Sequence, residues 1–183
     1  MTDREQTKKD KKRNLLILIL LLGIVVCLAV TVWALFFRTP ASPDYAPDYA
    51  PGTLEPNAQV IENDDSAKLE APSGGGAISV QYADQVTISL SEKKAYLNYS
   101  NPNKSTQNTV LEIVIRDQTV AKSALIEPGY QITELPLADG AEKLLSEGIY
   151  NEDAVFKILS YNPETGEKAM VDTKAEITVI VQN

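Results

Sequence analysis

The sequence predicts an all-β fold: an antiparallel β-sandwich of seven to eight strands over residues 77–183, preceded by one transmembrane helix at 15–37 and a disordered stalk at 38–76. Three observations carry this prediction. Beyond Ala77, short runs alternate apolar and polar residues with period two, the pattern of half-buried strands. Turn formers separate those runs, and helical periodicity is almost absent. Upstream, 23 consecutive residues carry no charge.

The strands follow in order. Ile78, Val80 and Tyr82 alternate with Ser79 and Gln81, and Val86, Ile88 and Leu90 alternate with Thr87 and Ser89. Ala95, Leu97 and Tyr99 come next. Leu111, Ile113 and Ile115 share one face of a longer strand, with Glu112 and Arg116 on the other. Residues 120–126 and 130–135 form two more, separated by Pro128-Gly129. In a type II turn Pro sets φ and Gly accepts the positive φ that follows. Residues 139–146 carry the one helical signal, ending at Gly148. Residues 155–161 and 176–181 close the domain across the turn Asn162-Pro163-Glu164-Thr165-Gly166.

The run Leu145-Ser146-Glu147-Gly148-Ile149-Tyr150 resembles the tyrosine corner of immunoglobulin-like and fibronectin-like domains. The resemblance implies that the Tyr150 hydroxyl bonds back to nearby backbone. The antibody cysteine pair is missing, so the implied fold is a disulfide-free, immunoglobulin-like sandwich. Lys122-Ser123-Ala124-Leu125-Ile126-Glu127-Pro128-Gly129-Tyr130 and Tyr161-Asn162-Pro163-Glu164-Thr165-Gly166-Glu167 resemble segments of uncharacterised single-pass envelope proteins of Gram-positive bacteria. That resemblance implies a surface location and carries no active-site residues.

Residues 15–37 would form a helix about 34 Å long, enough for a hydrocarbon core of ~30 Å. Seventeen of them are Leu, Ile, Val or Phe, favouring insertion by roughly 5–10 kcal/mol. Lys8, Lys9, Lys11, Lys12 and Arg13 precede the run and only Arg38 closely follows it. The positive-inside rule therefore places residues 1–14 in the cytoplasm and the C-terminus outside the cell, with Trp33, Phe36 and Phe37 at the outer interface. A cleaved signal peptide has a shorter apolar region, which favours an uncleaved anchor with Cys27 facing lipid.

Residues 38–76 read as a Pro-rich acidic stalk. Pro40, Pro43, Pro47, Pro51, Pro56 and Pro72 oppose helix and sheet, and Glu62 to Glu70 is too polar to offset its ordering entropy by burial. A tandem repeat, Pro43-Asp44-Tyr45-Ala46 then Pro47-Asp48-Tyr49-Ala50, is closed by Pro51. It reads as a spacer, with a docking motif built on Tyr45 and Tyr49 as the sharper alternative.

Charge and composition narrow the function. Residues 39–76 and 77–183 each carry a net −6, so nucleic acid is not an expected partner. His is absent and Cys27 is the lone cysteine, which removes His/Cys zinc sites, His-assisted nucleophiles and an internal disulfide. The remaining candidates are modest. Asn98-Tyr99-Ser100 and Asn103-Lys104-Ser105 match the glycosylation pattern, and the loop 100–108 is long enough to bind a partner. Asp64/Asp65 and Glu152/Asp153 are carboxylate pairs without a calcium-loop pattern. Lys122 and Ser123 have no activating base in view. No catalytic, cofactor or metal residue is expected. The expected function is a membrane-anchored extracellular binding or assembly module, not an enzyme. Its partners would be the lipid bilayer through residues 15–37 and an envelope protein or glycan through the outer domain. An envelope sensor or regulator, or a carboxylate-dependent envelope enzyme, is the alternative.

Overall fold

The computed structural model describes residues 14, 17–24, 26, 49–71, 75–170 and 172–183. The chain divides into two units, 1–45 and 46–183. In the first, residues 17–24 are helical and their Leu and Ile side chains are exposed, Leu20 at 68 %. Among the described residues no helix is long and apolar enough to cross a membrane. The basic residues before the helix, Cys27, the aromatic residues 33, 36 and 37, and Tyr45 lie outside the described residues.

The second unit is all-β, as its period-two patterning requires. Its strands are β1 (Gln59–Val60), β2 (Gln81–Tyr82), β3 (Gln85–Ser89), β4 (Lys94–Asn101), β5 (Asn108–Ile115), β6 (Gln118–Lys122), β7 (Tyr130–Pro136), β8 (Gly148–Tyr150), β9 (Ala154–Tyr161), β10 (Thr173–Glu176) and β11 (Thr178–Gln182). One sheet runs β1-β7-β4-β3-β11-β8, with β2 also paired to β4; the other runs β10-β9-β5-β6.

The two sheets bury their facing sides against each other. Val86 and Ile88 of β3, Ala95, Leu97 and Tyr99 of β4, Ile132 and Leu135 of β7, and Val179 and Val181 of β11 form one wall. Leu111, Ile113 and Ile115 of β5 with Phe156 and Ile158 of β9 form the other. Tyr82 meets Phe156 edge-on at 5.7 Å. Each of the buried Val, Leu, Ile and Phe side chains contributes on the order of 1.5–3 kcal/mol by leaving water.

The last strand divides between the sheets. β10 pairs antiparallel with β9, Ile177 is buried at the crossing, and β11 then pairs in parallel with β3. The predicted strand at 176–181 is β11, in the opposite sheet, and the hairpin partner of β9 is β10, which the sequence did not anticipate. The predicted strand at 120–126 ends at Lys122, and that at 78–82 shrinks to Gln81–Tyr82. Gly129 has φ +89°, as the type II turn requires. The helical signal at 139–146 yields only a 3-10 turn, Ala141–Lys143. Gly140 stands at its start in the left-handed region without a side-chain cap, and so short a segment does not offset the cost of nucleating an α-helix.

The largest departure concerns the stalk. Residues 49–71, expected to be disordered, are seated on the sandwich, and the compact unit begins at Ala46 rather than Ala77. The sequence argument weighed proline content and side-chain burial. The structure holds the segment through backbone hydrogen bonds and one buried carboxylate, which hydrophobicity does not register. Residues 38–48 and 72–74 lie outside the described residues.

Candidate functional site

The outer face of the β10-β9-β5-β6 sheet is covered in two different ways. At one end Val110, Leu125, Leu159 and Tyr161 form a small apolar cluster, against which Ala50 packs. The segment 49–61 crosses this end as a strap. Ala50 N donates to Gly166 O (2.8 Å), Leu125 N to Thr53 O (3.1 Å), Glu55 N to Leu125 O (2.8 Å) and Ile61 N to Gly129 O (2.8 Å). Glu55, only 7 % exposed, accepts from Ala124 N at 2.7 Å and from Asn57 N at 3.1 Å. A buried carboxylate is tolerable only when its oxygens are satisfied in this way. Next to this end, toward the middle of the sheet, the outward residues are charged. Glu112 meets Lys122 at 2.9 Å and Lys157 at 3.8 Å, and Asp172 meets Lys157 at 3.4 Å and Lys168 at 3.2 Å.

The outer face of the other sheet is open along its middle. The register places Ile149 beside Ile180, Ile180 beside Thr87, Thr87 beside Tyr96, and Tyr96 beside Glu134. One row of outward positions thus runs across five strands. Ile149 is 67 % exposed and Tyr96 38 %. Lys94 pairs with Glu134 at 2.9 Å at the end of the row, and this contact raises the Lys94 pKa. β8 closes the sheet as a three-residue edge. Neither β8 nor this row was anticipated from the sequence. Its signal was weak: Ile149 stands alone between Gly148 and Tyr150.

The residues singled out from the sequence are mostly structural. The Ser123 hydroxyl accepts from Leu111 N at 2.9 Å and donates to Ala124 O at 2.8 Å, so backbone occupies it. Lys122 is the ion-pair partner of Glu112. The Tyr150 hydroxyl accepts from Ser146 N (3.1 Å) and donates to Ser146 O (3.0 Å), the hydrogen bond expected of the corner. The Arg116 guanidinium lies 5.1 Å above the Tyr150 ring and pairs with Asp153 at 3.5 Å.

The loop 100–108 is not a free binding loop. β4 extends through Asn101, and the rest is packed against residues 64–69 and 77–79. Ser105 is buried and bonded to both Ser79 N and Ser79 O. Leu69 N donates to Lys104 O, and the Lys68 ammonium to Ser105 O. Asn98 is exposed and Asn103 half-buried.

Glu62 and Asp64 line an open cleft of about 260 Å³ with Lys104. Both Asp64 oxygens are engaged, one by Ser66 and one by Asn103 N. The Ser66 hydroxyl, followed by the Asn103 amide, holds the Asp64 carboxyl below its usual range. Asp64 is thus a loop-fastening group rather than an acid–base pair with its neighbour. Burial pushes the Tyr99 phenol well above its usual range, and its hydroxyl faces Thr109 without a hydrogen bond of normal geometry. Among the described residues, no group of three or more carboxylate or cysteine side chains is placed to hold a metal ion. Neither a protein-family model nor a curated protein matches this sequence.

Proposed function

We propose that the chain is a membrane-anchored extracellular module that binds or assembles with another protein of the cell envelope through an immunoglobulin-like domain. The observation that carries this reading is the row Ile149–Ile180–Thr87–Tyr96, which the register brings side by side on the outer face of one sheet. Exposed aliphatic and aromatic side chains in register on a rigid sheet, with a paired Lys94–Glu134 at the rim, suit a protein surface better than a glycan.

The immunoglobulin-like reading is supported by topology. Three strands, β7-β4-β3, face a sheet of β10-β9-β5-β6, and the final segment changes sheets to run parallel to β3. The Tyr150–Ser146 bond adds to it. The anchor reading rests on the uncharged run 15–37 and its basic flank. With the strap counted in the domain, the expected stalk of 39 residues is shorter at its C-terminal end.

The test is photo-crosslinking from position 149 or 96 of the full chain on intact cells. A specific protein adduct from both positions, and none from exposed Glu164 on the 162–167 turn, supports the reading. Folded, surface-expressed protein that yields no adduct from either position overturns it. Glycan-only adducts reject the protein partner.

A further inference from the structure

The outer face that carries Tyr96 continues along β4 into a second row. The register sets Gln81 beside Ser100, Ser100 beside Gln131, and Gln131 beside Gln59. Tyr99 and Ile132, the chain neighbours of Ser100 and Gln131, are buried, so this row points out of the sandwich. It crosses β2, β4, β7 and β1, and Gln59 joins it only because the strap is seated on the body. Asn98, between Tyr96 and Ser100 on β4, is exposed. The side-chain amides of Gln59, Gln81, Asn98 and Gln131 bond to no other described residue, whereas those of Asn101 and Asn162 are occupied by backbone groups. Gln81, Asn98, Ser100 and Gln131 line an open cleft of about 280 Å³ with no charged side chain in its lining. It adjoins the cleft of about 260 Å³ beside Lys104, since Gln81 lines both.

We propose that this groove binds a neutral, extended glycan lying across the strands. In a chain of net charge −8 the row is an uncharged stretch, and an uncharged groove has nothing to offset the desolvation of a charged ligand. Each amide sets donors beside an acceptor, the combination that a pair of ring hydroxyls can satisfy. Neighbouring strands stand about 4.8 Å apart, close to the rise per ring of an extended β-linked pyranose chain, so successive strands can address successive rings. The inference does not rest on the protein-partner reading: adducts from position 149 do not depend on these amides, and the two stand or fall separately.

Saturation-transfer NMR on oligosaccharides mixed with the full chain in phospholipid nanodiscs tests this. Cellohexaose and chitohexaose are the extended neutral probes, maltohexaose is the curled neutral probe, and hexagalacturonate is the charged one. The expected result is transfer to cellohexaose or chitohexaose and much less to the other two. Gln81→Ala and Gln131→Ala should each weaken that binding roughly three- to tenfold, the loss of a single hydrogen bond. Gln118→Ala, which removes an exposed amide on β6 of the other sheet, should leave it unchanged. No transfer to either extended probe, equal transfer to maltohexaose or hexagalacturonate, or the same loss from Gln118→Ala as from Gln131→Ala would each overturn the proposal.

Discussion

Replacing Glu55 by Ala tests whether the strap is a separable element fastened by one side chain. The substitution removes two acceptors, the one bonded to Ala124 N at 2.7 Å and the one bonded to Asn57 N at 3.1 Å. A hydrogen bond to a charged group contributes about 1.5–3 kcal/mol, and a half-buried N–H left without a partner sits in the same range. Asn57 is nearer solvent and recovers part of its loss in water. The net cost is about 2 kcal/mol, close to a thirtyfold shift in a local opening equilibrium. Amide hydrogen exchange reads it directly at Ala50, Glu55, Ile61 and Leu125, whose N–H groups join the strap to the body. These should exchange about thirtyfold faster, while the β5–β9 ladder keeps its protection. Glu55→Gln retains one carbonyl oxygen and should fall between. Unchanged exchange at those four amides would refute the fastening role. Equal acceleration in β5 and β9 would show that the strap opens only with the whole domain.

Other outcomes follow from single contacts. Tyr150→Phe removes a hydroxyl bonded twice to Ser146 but keeps the ring under Arg116, so denaturant unfolding should show a loss of about 1 kcal/mol. Tyr99→Phe deletes a buried hydroxyl that has no partner, so stability by the same assay should stay level or rise by up to about 1 kcal/mol. Phe156→Ala empties the centre of the core and should cost about 3–5 kcal/mol. The Asp64 carboxyl has its pKa depressed in the folded chain from the usual 3.8, so its stabilisation is complete above that value and declines as pH falls below it. The protection of the Asn103 amide, relative to its intrinsic exchange rate at each pH, should therefore fall below about pH 4 while that of the core amides holds, and Asp64→Asn should abolish that dependence.

What the sequence made legible is the part of the fold set by period. In β4, Ala95, Leu97 and Tyr99 alternate strictly with Tyr96 and Asn98, and the structure buries the first set and exposes the second. Gly129 and Gly166 have the positive φ that their turns require. The Tyr150 hydrogen bond was legible because its motif is local: donor and acceptor lie four residues apart. The strap was not legible, because its stability comes from partners far along the chain. Glu55 bonds to a backbone amide 69 residues away, and Asp64 to one 39 residues away. No window around Glu55 contains Ala124, and the surrounding Pro and Asp residues argue for disorder. The open row across the other sheet was also hidden, since its members come from five strands and meet only through register.

One sign of the strap was nonetheless present in the strand it covers. β5 reads Asn-Thr-Val-Leu-Glu-Ile-Val-Ile, with Leu111, Ile113 and Ile115 on its inner face and Val110 and Val114 on either side of Glu112 on its outer face, whereas β4 alternates apolar and polar. A strand with an apolar outer face needs a cover on that face. Val110 has one in Ala50 and the strap; Glu112, two residues on, needs none and instead pairs with Lys122 and Lys157. The outer face of this sheet thus passes from apolar at Val110 to charged at Glu112, and the strap crosses at the Val110 end. The opposite sheet presents Gln85, Thr87, Lys94 and Asn98 outward, residues that water satisfies, so no part of the chain is required to cover it. The same difference in outward residues therefore accounts for both faces. One is closed by the chain itself, and the other is left for a partner to find through Ile149 and Tyr96.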